Sequence, residues 1–131
     1  MSKSSTFQGL APALYKDIVA KTAAYQIVPR DVATLFTNRG ASGAVILTLP
    51  ATAKLETGWW CEWFTVADEV FTITAPAVDT MVVFNDAAAD TVGFGTSGEH
   101  IGGGGKAVWD GTGWLVFLNI GMDSQTPVIA T

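Results

Sequence analysis

Breakers fall at short intervals along the chain, and each closes a run rich in β-branched and aromatic residues. Tyr25-Gln26-Ile27-Val28 alternates and is stopped by Pro29. Thr34-Leu35-Phe36-Thr37 ends at Asn38-Arg39-Gly40, and Ala44-Val45-Ile46-Leu47-Thr48-Leu49 ends at Pro50. Trp59 to Val66 is aromatic and sets Glu62 and Thr65 among bulky residues. Val70-Phe71-Thr72-Ile73-Thr74 is closed by Pro76, and Thr80-Met81-Val82-Val83-Phe84 by Asn85-Asp86. Lys106-Ala107-Val108-Trp109 and Trp114-Leu115-Val116-Phe117-Leu118 flank Asp110-Gly111-Thr112-Gly113, a hairpin signal. Short strands punctuated in this way predict an all-β fold, an antiparallel sandwich or a barrel-like domain.

Two of these runs, residues 44–49 and 114–118, are apolar almost throughout, with Thr48 the one exception. A strand with one face in water should alternate. Continuous apolarity predicts that the second face is covered too, under a loop or against another subunit. Charge content agrees, since only 15% of residues are charged where about 25% is usual. The expectation is a homo-oligomer.

Composition excludes several classes. With 49% hydrophobic residues the chain can bury a core and is not a disordered sequence. One cysteine, Cys61, cannot form an internal disulfide. No run approaches the about 18 apolar residues of a spanning helix. The apolar patch Leu10-Ala11-Pro12-Ala13-Leu14 is too short and broken for a signal peptide, which predicts action where the protein is made or release by lysis. The net charge is −5 and unevenly spread: residues 1–39 carry five bases and two acids, residues 40–131 two bases and ten acids. An acidic body does not suit nucleic acid, whose binding rests on phosphate neutralisation.

The chain divides into an N-terminal arm over 1–22, a β domain over 23–122 and a C-terminal tail over 123–131. In the arm, Leu14, Tyr15 and Ile18 have helical spacing, predicting a short helix after Pro12. Residues 87–105, Ala-rich and then Gly-rich, predict a long surface excursion, because ordering glycine costs entropy. The tail contains Pro127 and reads as extended.

Candidates for chemistry are few. His100 and Cys61 are the only histidine and cysteine, too few for a zinc set. Gly93-Phe94-Gly95-Thr96-Ser97-Gly98 matches G-x-G-x-x-G but lacks the helix that gives the motif its meaning. Asp86 and Asp90 lack the spacing of a calcium loop. Five tryptophans, Trp59, Trp60, Trp63, Trp109 and Trp114, raise a sugar-stacking platform as an alternative. Alternation puts Trp59 and Trp63 on one face of their strand and Trp60 on the other. The expectation is a protein that is not an enzyme and needs no cofactor or metal.

A wider pattern covers residues 23–121. Tyr25-Gln26-Ile27-Val28 and Asp31 are followed by Phe36-Thr37-Asn38, Gly40, Gly43 and Val45-Ile46-Leu47-Thr48-Leu49-Pro50-Ala51. Gly58, an aromatic strand, Phe71-Thr72-Ile73-Thr74, Trp114 and Gly121 complete it. It resembles the small all-β domains of tailed-phage virion proteins, capsid decoration (cement) proteins most of all. The resemblance implies a structural virion protein, a homotrimer on the outside of the capsid, assembled in the host cytoplasm. It implies the major capsid protein as partner, with neither nucleic acid nor membrane. The arm, through Phe7, Leu10, Leu14 and Tyr15, is the expected capsid contact. The alternative within that setting is a tail-fibre or receptor-binding module that recognises a cell-surface glycan.

Overall fold

A computed structural model of the chain describes residues 14–77, 80–94, 98–119 and 127–130. Twelve strands run through them: β1 (Asp17–Ala20), β2 (Tyr25–Gln26), β3 (Thr34–Thr37), β4 (Val45–Thr48), β5 (Trp60–Phe64), β6 (Phe71–Thr74), β7 (Met81–Val83), β8 (Asp86–Ala89), β9 (Thr91–Phe94), β10 (Gly104–Trp109), β11 (Trp114–Asn119) and β12 (Pro127–Ala130). The only helical element among the described residues is a 3₁₀ turn at Pro29–Asp31. Asp31 ties that turn down, accepting hydrogen bonds from the Val28 amide and the Tyr25 hydroxyl.

The strands form two packed sheets, a β-sandwich. One has seven strands in the order β1-β3-β5-β10-β11-β7-β8, the other five in the order β12-β9-β6-β4-β2. Both are mixed rather than antiparallel throughout. The cause is the path of the chain: from β1 to β6 each strand crosses to the opposite sheet. Every second strand therefore returns in the same sense, so β1, β3 and β5 lie parallel in one sheet and β2, β4 and β6 in the other. Parallel neighbours need a crossover connection, and here a strand of the facing sheet supplies it. The second half changes style, with hairpins β7–β8 and β10–β11. At the β10–β11 turn Asp110 accepts from the amides of Thr112 and Gly113, and these bonds, led by Gly113, lower its carboxyl pKa.

Two segments depart from the sequence expectation. Leu14 and Ile18 belong to no helix; Asp17–Ala20, placed in the arm, pair with β3 at the edge of the larger sheet. The described residues of 87–105 are no surface excursion, since they supply most of β8, all of β9 and the start of β10. The glycines serve close packing. A Cβ on Gly104 would collide with the Trp63 carbonyl oxygen, one on Gly105 with that of Phe117, and one on Gly103 would sit 2.6 Å from the Phe94 ring.

The core lies between the sheets. Phe36, Trp63 and Trp114 face Leu47, Phe71 and Ile73, all buried. Trp114 is the hub of an aromatic cluster, edge-on to Trp59 at 5.7 Å and tilted to Trp109 at 5.5 Å. Asn38 is fully buried just after β3, and its side chain replaces missing backbone partners. It accepts from the amides of Val66 and Ala67 and donates to the Ala67 carbonyl.

Candidate interaction surface

Alternation along β5 directs Cys61 and Trp63 inward and Trp60, Glu62 and Phe64 outward. Strand register extends that choice across the sheet. Leu35 of β3 lies beside Glu62, which lies opposite Lys106 of β10, which lies opposite Phe117 of β11. One row along, Phe64 is opposite Gly104. In the row on the other side Trp60 is opposite Val108, Val108 opposite Leu115, and Leu115 beside Val82 of β7. Ile18 of β1 extends the middle row to the sheet edge. Thr37 and Asn119 complete the Phe64 row, so the outer face of the seven-stranded sheet is largely apolar, with one acid and one base at its centre and two neutral polar residues in that row. Phe117 is 59% exposed and Ile18 64%, with Phe64 and Val82 each at 40%.

The two central charges do not pair. Although Glu62 and Lys106 are direct cross-strand neighbours, the ion pairs among the described residues do not include them. Lys106 instead sets its ammonium over the Trp60 ring, 4.6 Å from the centroid, a cation–π contact. Glu62 accepts a hydrogen bond from the Tyr15 hydroxyl, whose pKa rises through desolvation first and the Glu62 bond second. The Tyr15 ring also lies tilted on Trp60, at 6.0 Å.

Of the four expected arm contacts, Phe7 and Leu10 lie outside the described residues. Tyr15 rests on the outer face of the seven-stranded sheet, and Leu14, next to it in the chain, is 78% exposed. The sequence reading missed Glu62, Lys106 and Phe64 as parts of one surface. It caught the signal behind Phe117, the unbroken apolar run over 114–118. The run over 44–49 likewise leaves Ile46 exposed, on the other sheet.

The remaining candidates separate. Trp59, Trp63, Trp109 and Trp114 are buried, and half-buried Trp60 borders an open groove of about 400 Å³ together with Lys54, Glu56 and Thr57. Cys61 is buried and its thiol pKa is pushed up by that burial, which suppresses the nucleophilic thiolate. His100 is buried and its Nδ1 lies 2.6 Å from the Asp68 carboxylate. That carboxylate also accepts from the Gly98 amide, so the pair holds the loop before β10. Gly93 and Phe94 end β9, and residues 95–97 of the glycine motif lie outside the described residues. Asp86 opens β8 and Asp90 lies between β8 and β9. Among the described residues no group of three or more His, Cys, Asp or Glu could hold a metal ion. No helix there is long and apolar enough to cross a membrane.

No protein-family model matches the chain, and no curated protein matches it.

Proposed function

We propose that this protein is a structural component of a phage virion that binds the outside of the capsid and stabilises it as a decoration protein. One observation carries the reading: among the described residues a broad, largely apolar sheet face is exposed, and Tyr15 lies on that same face. Soluble monomers rarely expose large contiguous apolar patches. A protein built this way works by being covered. The resemblance over residues 23–121 supplies the setting. Binding across joints of an assembled shell opposes shell opening by mass action, because only the closed lattice presents the site. The leader, with Phe7, Leu10, Leu14 and Tyr15, is the part assigned to the shell, and assembly into oligomers multiplies that contact through effective concentration.

The test is saturable, stoichiometric binding of purified protein to undecorated shells. Deletion of residues 1–13, which stops short of β1, is expected to weaken binding at least about tenfold while leaving the circular dichroism spectrum unchanged. Full affinity after that deletion rejects the arm, and no binding by the whole chain rejects the decoration role.

Trp60 favours a second reading, as a glycan-binding module of a tail fibre. Its ring edges the 400 Å³ groove with Lys54, Glu56 and Thr57 as polar partners, the mixture of aromatic face and hydrogen-bonding groups that ligand sites use. A glycan array with no hit removes it.

A further inference from the structure

We propose that the outer face of the seven-stranded sheet docks a second copy of this chain about a two-fold axis that runs along the strands between β5 and β10. The inference rests on the reading that this face is covered, and adds what covers it. Consider the register. A two-fold axis in the plane of contact, parallel to the strands, lays β5 of one copy over β10 of the other, and β3 over β11. In the middle row, Glu62 then meets Lys106 of the second copy and Lys106 meets its Glu62. In the next row Phe64 lies over the backbone of the buried Gly104 of the second copy, and Thr37 over its Asn119. Beyond them Phe117 lies over Leu35. Each copy presents acid and base where the other has base and acid, which is the self-complementarity a two-fold interface requires.

Charge selects a second copy over other occupants. The chain carries −5, so two copies repel over most orientations. This face is locally neutral, and its two opposite charges are not paired with each other within one chain. About this axis six strands overlap, β5 on β10, β3 on β11 and β1 on β7, while β8 stands outside. At about 4.8 Å spacing and about five residues at about 3.3 Å they give a plane of roughly 480 Å² before side-chain relief. A standard interface takes about 800 Å² from each partner. An interface of this kind closes at two copies, whereas the trimer implied by the phage resemblance needs two different patches on each chain.

Charge exchange between copies tests this. Glu62→Lys leaves two bases at the centre of the face, and Lys106→Glu leaves two acids. By sedimentation velocity at about 50 µM, wild type is expected to run as a dimer, and each variant alone as a monomer with association weakened at least about tenfold. An equimolar mixture of the two variants is expected to recover the dimer, because a doubly basic face now meets a doubly acidic one. Phe117→Thr, at an exposed position, is expected to give a monomer with an unchanged circular dichroism spectrum. A wild-type monomer, a trimer indifferent to all three substitutions, or a variant mixture that stays monomeric overturns the proposal. So does a wild-type monomer whose shell binding is lost in Phe117→Thr, which would give the face to the shell. The decoration reading fails separately: a dimer that never binds shells rejects it and leaves the two-fold contact standing.

Discussion

The two outer faces of this sandwich are built on the same backbone and finished with different chemistry. The five-stranded sheet turns outward Gln26, Thr48, Thr74 and Thr91 in one register row, and Ile46, Thr72, Gly93 and Val128 in the next. The seven-stranded sheet turns outward Leu35, Phe64, Val108, Leu115 and Phe117 around one acid and one base, with Thr37 and Asn119 in the Phe64 row. Threonine and the large apolar residues both suit a strand, so forming the sheet does not decide between them. What decides is what lies beyond the face. Hydroxyls keep their partners in water, whereas phenylalanine in water gains nothing for the folded single chain. The hydroxyl face suits solvent, and the apolar face is the one the proposed contact covers.

The largest expected contrast sits on one strand. Trp63 and Phe64 are adjacent in β5, one buried in the core and the other 40% exposed on the apolar face. Trp63→Ala is expected to cost about 3–5 kcal/mol, as for other large core truncations. Phe64→Ala, measured at a concentration where the chain is monomeric, is expected to cost no more than about 1 kcal/mol. Urea denaturation of both checks the pair. Equal losses would mean that Phe64 belongs to the core and that the apolar face is narrower than drawn.

A smaller effect of opposite sign is expected at Phe84. This residue sits in the β7–β8 turn with φ +48°, in the left-handed region, and is 58% exposed. A bulky side chain there costs about 1–2 kcal/mol relative to glycine, and its exposure shows little burial within the chain that would offset the strain. Phe84→Gly is therefore expected to raise stability by about 0.5–1 kcal/mol, read as a rise in denaturation midpoint. A loss instead would show that the ring contributes to folding, and would separate Phe84 from the apolar face at whose edge it stands.

Legibility in the sequence follows the same line between inside and outside. Alternation tells the buried Trp63 from the half-buried Trp60, and Asp110 to Gly113 announces the β10–β11 hairpin. Strand direction is not legible, because a period of two is the same in parallel and antiparallel neighbours. Nor are β8 and β9. Alanine and glycine have weak strand preference, and what makes strands of residues 86–94 is tertiary: Ala89, Val92 and Phe94 are sealed into the interior. At Gly104 and Gly105 the glycines that read as a loop are those the neighbouring carbonyls demand. The spacing of Leu14 and Ile18 fits a helix, yet pairing with β3 outweighs so short a period. The interaction surface is legible only through its unbroken apolar runs. The opposition of Glu62 and Lys106 depends on a register between strands more than forty residues apart, which one chain read in order does not carry.

The smallest difference in stability makes the sharpest test of the two faces, because one substitution can be made on each. Ile46 and Phe117 are both exposed, at 45% and 59%, on strands in the interior of their sheets. Ile46→Thr extends the hydroxyl rows of the five-stranded face, and Phe117→Thr places the same side chain on the other. Threonine suits both strands, so each is expected to change the stability of the monomeric chain by no more than about 0.5–1 kcal/mol. Their effects on association should part completely. Sedimentation of Ile46→Thr should match wild type, since water already covers that face, while Phe117→Thr should dissociate the dimer. If Ile46→Thr dissociates it and Phe117→Thr does not, the roles of the two faces are reversed, and Glu62 and Lys106 mark only a solvated patch.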